Sequence, residues 1–465
     1  MKENRYLIRL RDGEALAFPD QIRLIIQLSI PAILAQLSSV MMQYIDASRV
    51  GTLGKNAAAA VGLMASSTWF VNGLCLAAAT GFYVQVAQAV GAGKNADARR
   101  VTYQGLVVTL VFGTLLALIG GLLSAHLPRW YGAESAIRSD ASGYFLIFSL
   151  AIPLLELNLL AGGALQGSGN MALPSLLQIL MCVLDVVFNY LLIFPTREVV
   201  LAGIVIRMPG AGMGVRGAAL GTAFSIAVCS LIMLYVLLVR SEQLRLQRGE
   251  KMRFVKADLV KAFRIGWPVA LERGVINGAQ IAGTRIIAPL GAVSIAAHSF
   301  ATTAESICYL PGYGVAQAAI TIIGQSVGAR RRDLQKRLSW LLTGFGMAVM
   351  ALGAVLVYVC APFMIGLLTK DPEVSVLAVR IVRIAVFIEP MFGASIVISG
   401  IFRGEGETLA SSLINLGCMW LVRIPLMLLL TGRFGIAGAW YAMCIELFVR
   451  GVLFLFWLYR KGRRK

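Results

Sequence analysis

The sequence has 465 residues, 58% of them hydrophobic and 14% charged, with a formal net charge of +19 and a mean hydropathy of +0.78. So apolar a composition excludes an ordinary water-soluble protein and makes lipid the solvent for most of the chain. Nor does the basic excess point to nucleic acid, because 27 of the 42 Lys and Arg fall in the two tails and in alternate loops, the pattern of the positive-inside rule.

Hydrocarbon supplies no hydrogen-bond partners, and runs of about 20 apolar residues indicate helices rather than the short alternating strands of a barrel. The fold class is therefore all-α and polytopic. Residues 1–22 carry charges of both signs without an apolar core, and so read as a cytoplasmic tail rather than a cleavable signal. Six spans follow, beginning near Arg23, Ala58, Thr102, Gly143, Ala172 and Gly214, and fill a first lobe at 23–240. A basic linker at 241–263 comes next; eight cations lie between Arg240 and Arg264, and Phe254, Leu259, Val260 and Phe263 are suited to lie along lipid. The second lobe, 264–459, has spans beginning near Arg264, Val293, Leu338, Val374, Ala410 and Gly435, and a basic tail at 460–465 closes the chain. Twelve spans with both termini cytoplasmic satisfy the charge pattern.

The two lobes are repeats. A shift of 237 positions, with no gap, carries Pro31 onto Pro268, Leu34 onto Leu271, Gln88 onto Gln325 and Gly91 onto Gly328. Further along it carries Pro153 onto Pro390, Gly167 onto Gly404 and Gly169 onto Gly406. Because six is even, the repeats are parallel, related by an axis along the membrane normal. Gly214 and Gly217, at the start of the sixth span, have their counterparts Gly435 and Gly438 at a shift of only 221, which assigns sixteen extra residues to the first half, in the loop Thr196–Ala211.

The seven cysteines sit in or beside apolar runs without metal-ligand spacing, so no disulfide framework is expected. The sequence has no GxxxxGK[ST] phosphate loop and no zinc, calcium or hydrolase constellation. It is read as a non-enzyme with no cofactor, driven by an ion gradient.

Several motifs stand in a set order: Asp46 in IDASRVGTLG, QAVGAG at 88–93, QGSG at 166–169, PVALE at 268–272, His298 with Glu305 and Pro311-Gly312, Gly324-Gln325, RGEG at 403–406 and WLVRIP at 420–425. As a set covering about 23–460 they resemble the multidrug and toxic compound extrusion (MATE) family, particularly its bacterial members. The resemblance implies two six-helix lobes in a V, alternately open to cytoplasm and exterior. It further implies a transporter of the bacterial inner membrane, acting as a monomer, that exports small cationic or aromatic compounds in exchange for H⁺ or Na⁺. Membrane lipids are the other partners expected, and nucleic acid is not.

A charge within a span is costly and marks a functional candidate until a structural reason displaces it. By resemblance Asp46 takes the coupling ion, unless it pairs with Arg49 one turn on. Asp185 and Asn189 share a helix face in the fifth span, in the reverse of the order such transporters often carry. By resemblance again, the Ala218 carbonyl and the Thr222 hydroxyl complete an oxygen cage; beyond an Na⁺ site at Asp46, Asp185 and Asn189 no metal is expected. The alternative for Asp185 and Asn189 is a satisfied polar pair. Glu272, Glu305 and Glu389 are candidates for the substrate cavity, where they would attract cationic cargo, with Glu156 and Glu446 behind them. Arg273 and Arg423 are candidates for structural ion pairs. His298 reads as a packing residue. Met41, Met42, Tyr44, Trp69 and Phe70 suit either a forgiving cavity or the lipid face. The competing reading is a flippase of lipid or lipid-linked saccharide from the same superfamily, which calls for a cavity rich in cations.

Overall fold

A computed structural model describes residues 4–201, 204–245, 247 and 253–463. Lys2, Arg248, Lys251, Arg464 and Lys465, counted above with the basic tails and linker, lie outside the described residues. The first lobe consists of α2 (Phe18–Gly51), α3 (Lys55–Gly91), α4 (Asn95–Leu123), the short α5 (Leu127–Trp130), α6 (Ser135–Gly167), α7 (Ala172–Leu192) and α8 (Gly214–Tyr235). The second consists of α9 (Lys256–Ile287), α10 (Ala292–Gly328), α11 (Arg332–Leu368), α12 (Pro372–Ala385) running into α13 (Glu389–Glu405), α14 (Thr408–Gly417) running through a π-helical turn (Cys418–Arg423) into α15 (Ile424–Phe434), and α16 (Ile436–Arg463). With α12–α13 and α14–α15 each counted once, these make twelve long helical segments, six to a lobe. Eleven are long and apolar enough to cross a membrane. The other is α9, whose Asp258, Lys261, Arg264, Glu272, Arg273 and Arg285 lower its hydropathy.

The repeat is visible in the backbone. α3 and α10 both have 37 residues and start 237 positions apart. Gly54 (φ 104°) matches Gly291 (φ 91°), and Gly169 (φ 97°) matches Gly406 (φ 84°). Gly93 (φ 71°) is matched by Arg330, which at φ 56° is the one non-glycine with positive φ among the described residues. The loop that holds the extra residues carries two antiparallel strands, β1 (Pro195–Leu201) and β2 (Ile204–Ala211), pairing Pro195 with Ala211 at one end and Leu201 with Ile204 at the other.

The amino-terminal segment is more than a charged tail. Residues 5–11 form α1 (Arg5–Arg11), started by Asn4, whose side chain accepts from the Tyr6 N–H at 2.9 Å. Arg9 is tied to Glu14 at 2.7 Å and Asp20 at 2.8 Å, and Leu7 and Leu10 are buried. They join a core shared by Leu24, Ile25 and Leu28 of α2 with α10, α11, α13 and α16. A second mixed core sets Ala262, Ile265 and Ile320 against α3 and α6. Both mixed cores lie towards the end of the molecule that carries the termini. Cores nearer the opposite end belong to one lobe alone: Cys75, Ile152 and Met181 in the first, Ala301, Val357 and Trp440 in the second. The lobes are thus joined at the terminal end and part towards the other.

Candidate ion-binding site

The five residues proposed for the coupling ion lie near the ends of α2, α7 and α8 that are opposite the chain termini. Asn189 donates from Nδ2 to Asp46 Oδ1 and to Asp185 Oδ2, both at 2.8 Å. Asp185 and Asn189 lie one turn apart on α7, so one amide spans both carboxylates. Thr222 donates to the Ala218 carbonyl at 3.2 Å. Gly221 lets α8 close on this group, since a β-carbon there would strike Asn189 Oδ1. Asp185 and Asn189 are buried and Asp46 is half-buried. Arg49 is not the partner of Asp46; its guanidinium stacks on Tyr190, 5.0 Å from the ring centroid.

Asp185 Oδ1 and Asn189 Oδ1 have no hydrogen-bond partner. Among the described residues no cation lies within ion-pair distance of either aspartate. A largely buried cluster with two carboxylates, one shared donor and two unpartnered acceptor oxygens suits a proton or a small hard cation. The reversed Asp-Asn order therefore still brings both carboxylates to one amide.

The three glutamates proposed for the substrate cavity are all buried in the second lobe. Glu272 is 5% exposed and already satisfied, by Arg403 Nη2 at 3.0 Å, Ser412 Oγ at 3.0 Å and Asn415 Nδ2 at 3.1 Å. Glu305 and Glu389 are buried in the second lobe, and neither oxygen of Glu389 has a hydrogen-bond partner. The ion-pair assignments also change. Arg403, not Arg273, pairs with Glu272, because adjacent positions on a helix face different ways, and Arg273 instead packs against Gly73 of α3. Arg423 has no carboxylate within ion-pair distance among the described residues; the deep pair nearby is Arg450–Glu446 at 3.0 Å. Glu156 is fully buried in the first lobe without a hydrogen bond to either oxygen. His298 packs edge-on against Trp440, ring centroids 5.7 Å apart.

Where the lobes part, a cleft of about 980 Å³ is lined by α3, α4 and α9, with Leu127 of α5 and Phe145 of α6. Phe70, Ser66, Asn277, Gln280, Thr284 and Arg285 are among its lining residues, and no carboxylate is. At the terminal end the lobes meet through the repeated motifs. Gln88 Nε2 donates to the Gly404 carbonyl at 3.0 Å, and its counterpart Gln325 donates to the Gly167 carbonyl at 2.8 Å. A β-carbon at Gly91 would strike the Gln325 carbonyl, and one at Gly328 the Gln88 carbonyl. Both relations obey the 237-residue shift, so the seam is two-fold symmetric in its chemistry. Thr321 to the Gln166 carbonyl (3.0 Å), Lys261 to Gln88 Oε1 (2.9 Å) and Arg100 to Asp258 (3.0 Å) widen it. The motifs had signalled a family; the repeat shift was the signal that paired them.

The MatE family model matches residues 31–191 and 268–429, the two repeats in turn. The chain belongs to the MatE family. Among its relatives, the probable multidrug resistance protein NorM of Thermotoga maritima is 25% identical, covering 96% of this chain and 94% of its own length. NorM of Pseudomonas aeruginosa is 28% identical over 91% of this chain and 86% of its own. Two solved structures share the fold at a TM-score of 0.88. One, described as MATE in complex with MaL6, is 20% identical over 99% of this chain and 98% of its own. The other, described as the outward-facing conformation of a multidrug resistance MATE family transporter of the MOP superfamily, is 19% identical over 99% of both. Like the rest of the family, the chain is an integral membrane transporter with two repeated lobes.

Proposed function

We propose that the chain is a secondary antiporter of a bacterial inner membrane that exports small amphipathic molecules, multidrug compounds among them, in exchange for H⁺ or Na⁺. The observation that carries the reading is the Asp46–Asn189–Asp185 cluster, a buried anionic site with vacant oxygens. Placing the basic, terminal end in the cytoplasm makes this an outward-facing state, with the seam of Gln88 and Gln325 shut and the cleft open above it. Asp46 sits on the outer half of α2, and the inner half of the same helix packs into the mixed core of the seam. Pro31 lies inside the continuous α2 between them. Neutralising the cluster therefore acts on a helix that reaches the seam, and the proline gives it a place to bend.

Cargo charge is a separate matter. With Glu272 tied to Arg403 and no carboxylate lining the cleft, aromatic and amide contacts with Phe70, Asn277 and Gln280 carry recognition there. The Arg285 side chain in the same cleft is the observation that favours the second reading, a flippase for anionic lipid-linked cargo.

The test is efflux of a fluorescent cationic dye from vesicles reconstituted with the full chain, under a proton or a sodium gradient applied separately. Wild type should export with one of the two, and Asp46→Asn, which keeps an acceptor for Asn189, should fold and fail. Dye export that persists in Asp46→Asn at the wild-type rate would overturn the coupling role. If neither gradient moves dye but a fluorescent anionic lipid crosses, the flippase reading replaces the antiporter.

A further inference from the structure

At the terminal end of the second lobe, away from the ion cluster and the inter-lobe cleft, the start of α11 and the end of α16 enclose a second cleft of about 480 Å³. Two acids reach it, Glu405 and Glu407. Both are already engaged: Lys461 Nζ lies 2.5 Å from Glu405 and 2.6 Å from Glu407, and Gln335 Nε2 donates to Glu405 at 2.5 Å. Three further cations line the cleft, Arg332, Lys336 and Arg460, all exposed and none with a carboxylate within ion-pair distance among the described residues. The cleft is therefore net positive once its internal bridges are counted.

Its remaining walls are aromatic. Trp340 and Trp457 line it and are 44% and 39% exposed, the first near the start of α11 and the second near the end of α16, both helices long and apolar enough to cross a membrane. Indole rings so placed belong to the membrane–water boundary. Beyond them the exposed Leu453 and Phe456 continue the apolar face of α16 towards the hydrocarbon. A concave cationic site, rimmed by indoles and opening onto an apolar helix face, has the chemistry of a phosphate carried on acyl chains.

We propose that this cleft binds the headgroup of an anionic membrane phospholipid, with its phosphate between Arg332, Lys336 and Arg460 and its chains over Trp340 and Trp457. The proposal needs the chain to lie in a membrane, not to transport any particular cargo. Because Glu405 adjoins Gly404, which accepts the Gln88 bond of the seam, a bound lipid also braces the segment on which one half of the seam rests.

The test is native mass spectrometry of the full chain in a neutral detergent, with phosphatidylglycerol or phosphatidylethanolamine added. Three charge contacts should favour phosphatidylglycerol by about tenfold or more. The variant Arg332→Gln/Lys336→Gln/Arg460→Gln should lose that preference, whereas Arg253→Gln/Lys256→Gln/Arg264→Gln, removing equal charge on another part of the same end, should keep it. Arg460→Gln alone should weaken the preference and keeps the test open if the triple variant fails to fold. Equal retention of the two lipids by wild type, or equal loss in both triple variants, would overturn the proposal. In a lipid-free arm, inorganic phosphate that binds wild type as tightly as phosphatidylglycerol does would overturn the lipid and leave a soluble anion as the ligand.

Discussion

At the scale of single residues, the buried carboxylates divide by what they are bonded to. Asp46 and Asp185 share one amide donor and leave acceptor oxygens free, whereas Glu272 has three donors, the Arg403 guanidinium among them. Replacing Glu272 with Ala leaves Arg403 without its counter-charge, a loss of about 3–5 kcal/mol for a buried pair. Thermal melting in detergent should fall steeply in Glu272→Ala and recover in the double variant with Arg403→Met. A Glu272→Ala chain that melts like wild type but fails to export would instead return Glu272 to the substrate. Arg330 is the opposite case, a side chain held at φ 56° where the other repeat has glycine. Arg330→Gly should raise stability by about 1 kcal/mol, the cost of the left-handed region for a residue with a β-carbon, and an unchanged or lower melting temperature would refute it. None of these bonds was legible beforehand. Sequence placed Glu272, Arg273 and Arg403 in or near spans, but which arginine meets which glutamate depends on helix rotation, and one position turns a side chain by about 100°.

At the scale of elements, the seam is built twice from one pattern. Its two amide-to-carbonyl bonds and its two glycine contacts come from the same four motifs, QAVGAG, QGSG, QSVGAR and RGEG. Gln88→Leu with Gln325→Leu removes both bonds and leaves two buried carbonyls without donors, costing about 1–3 kcal/mol for each. A cysteine placed at Ala87, buried under the seam, should then label faster from the terminal side than in wild type; an unchanged labelling rate would show that the seam does not depend on these bonds. The short α1 acts on the same seam from outside, since Leu7 and Leu10 close the mixed core. Leu10→Glu should expose that core and give faster labelling by itself. Sequence missed α1 because seven residues with three arginines carry little periodic signal, and only tertiary burial of two leucines makes the helix. The hairpin position, by contrast, was legible, because an insertion breaks the repeat register at a definite place.

At the scale of the whole molecule, what was legible was whatever long-range periodicity encodes: twelve spans, two lobes and the axis between them. The candidate ion cluster was legible through resemblance. The surroundings of the buried glutamates were not legible because a charge within a span has two ways to be compensated, water in a cleft or a partner in the core, and composition does not separate them. The central claim is that occupation of Asp46 and Asp185 governs the seam at the other end of the molecule, and the distance between the lobes at that end tests it most directly. Spin labels at Lys94 and Asp333, exposed and on opposite lobes, report it in the otherwise cysteine-free protein. Titration with acid or with Na⁺ should shift the distribution between a short and a long population in wild type, and Asp46→Asn/Asp185→Asn should hold one population throughout. If the double variant responds to the same ion as wild type does, the cluster is not what couples the ion to the lobes.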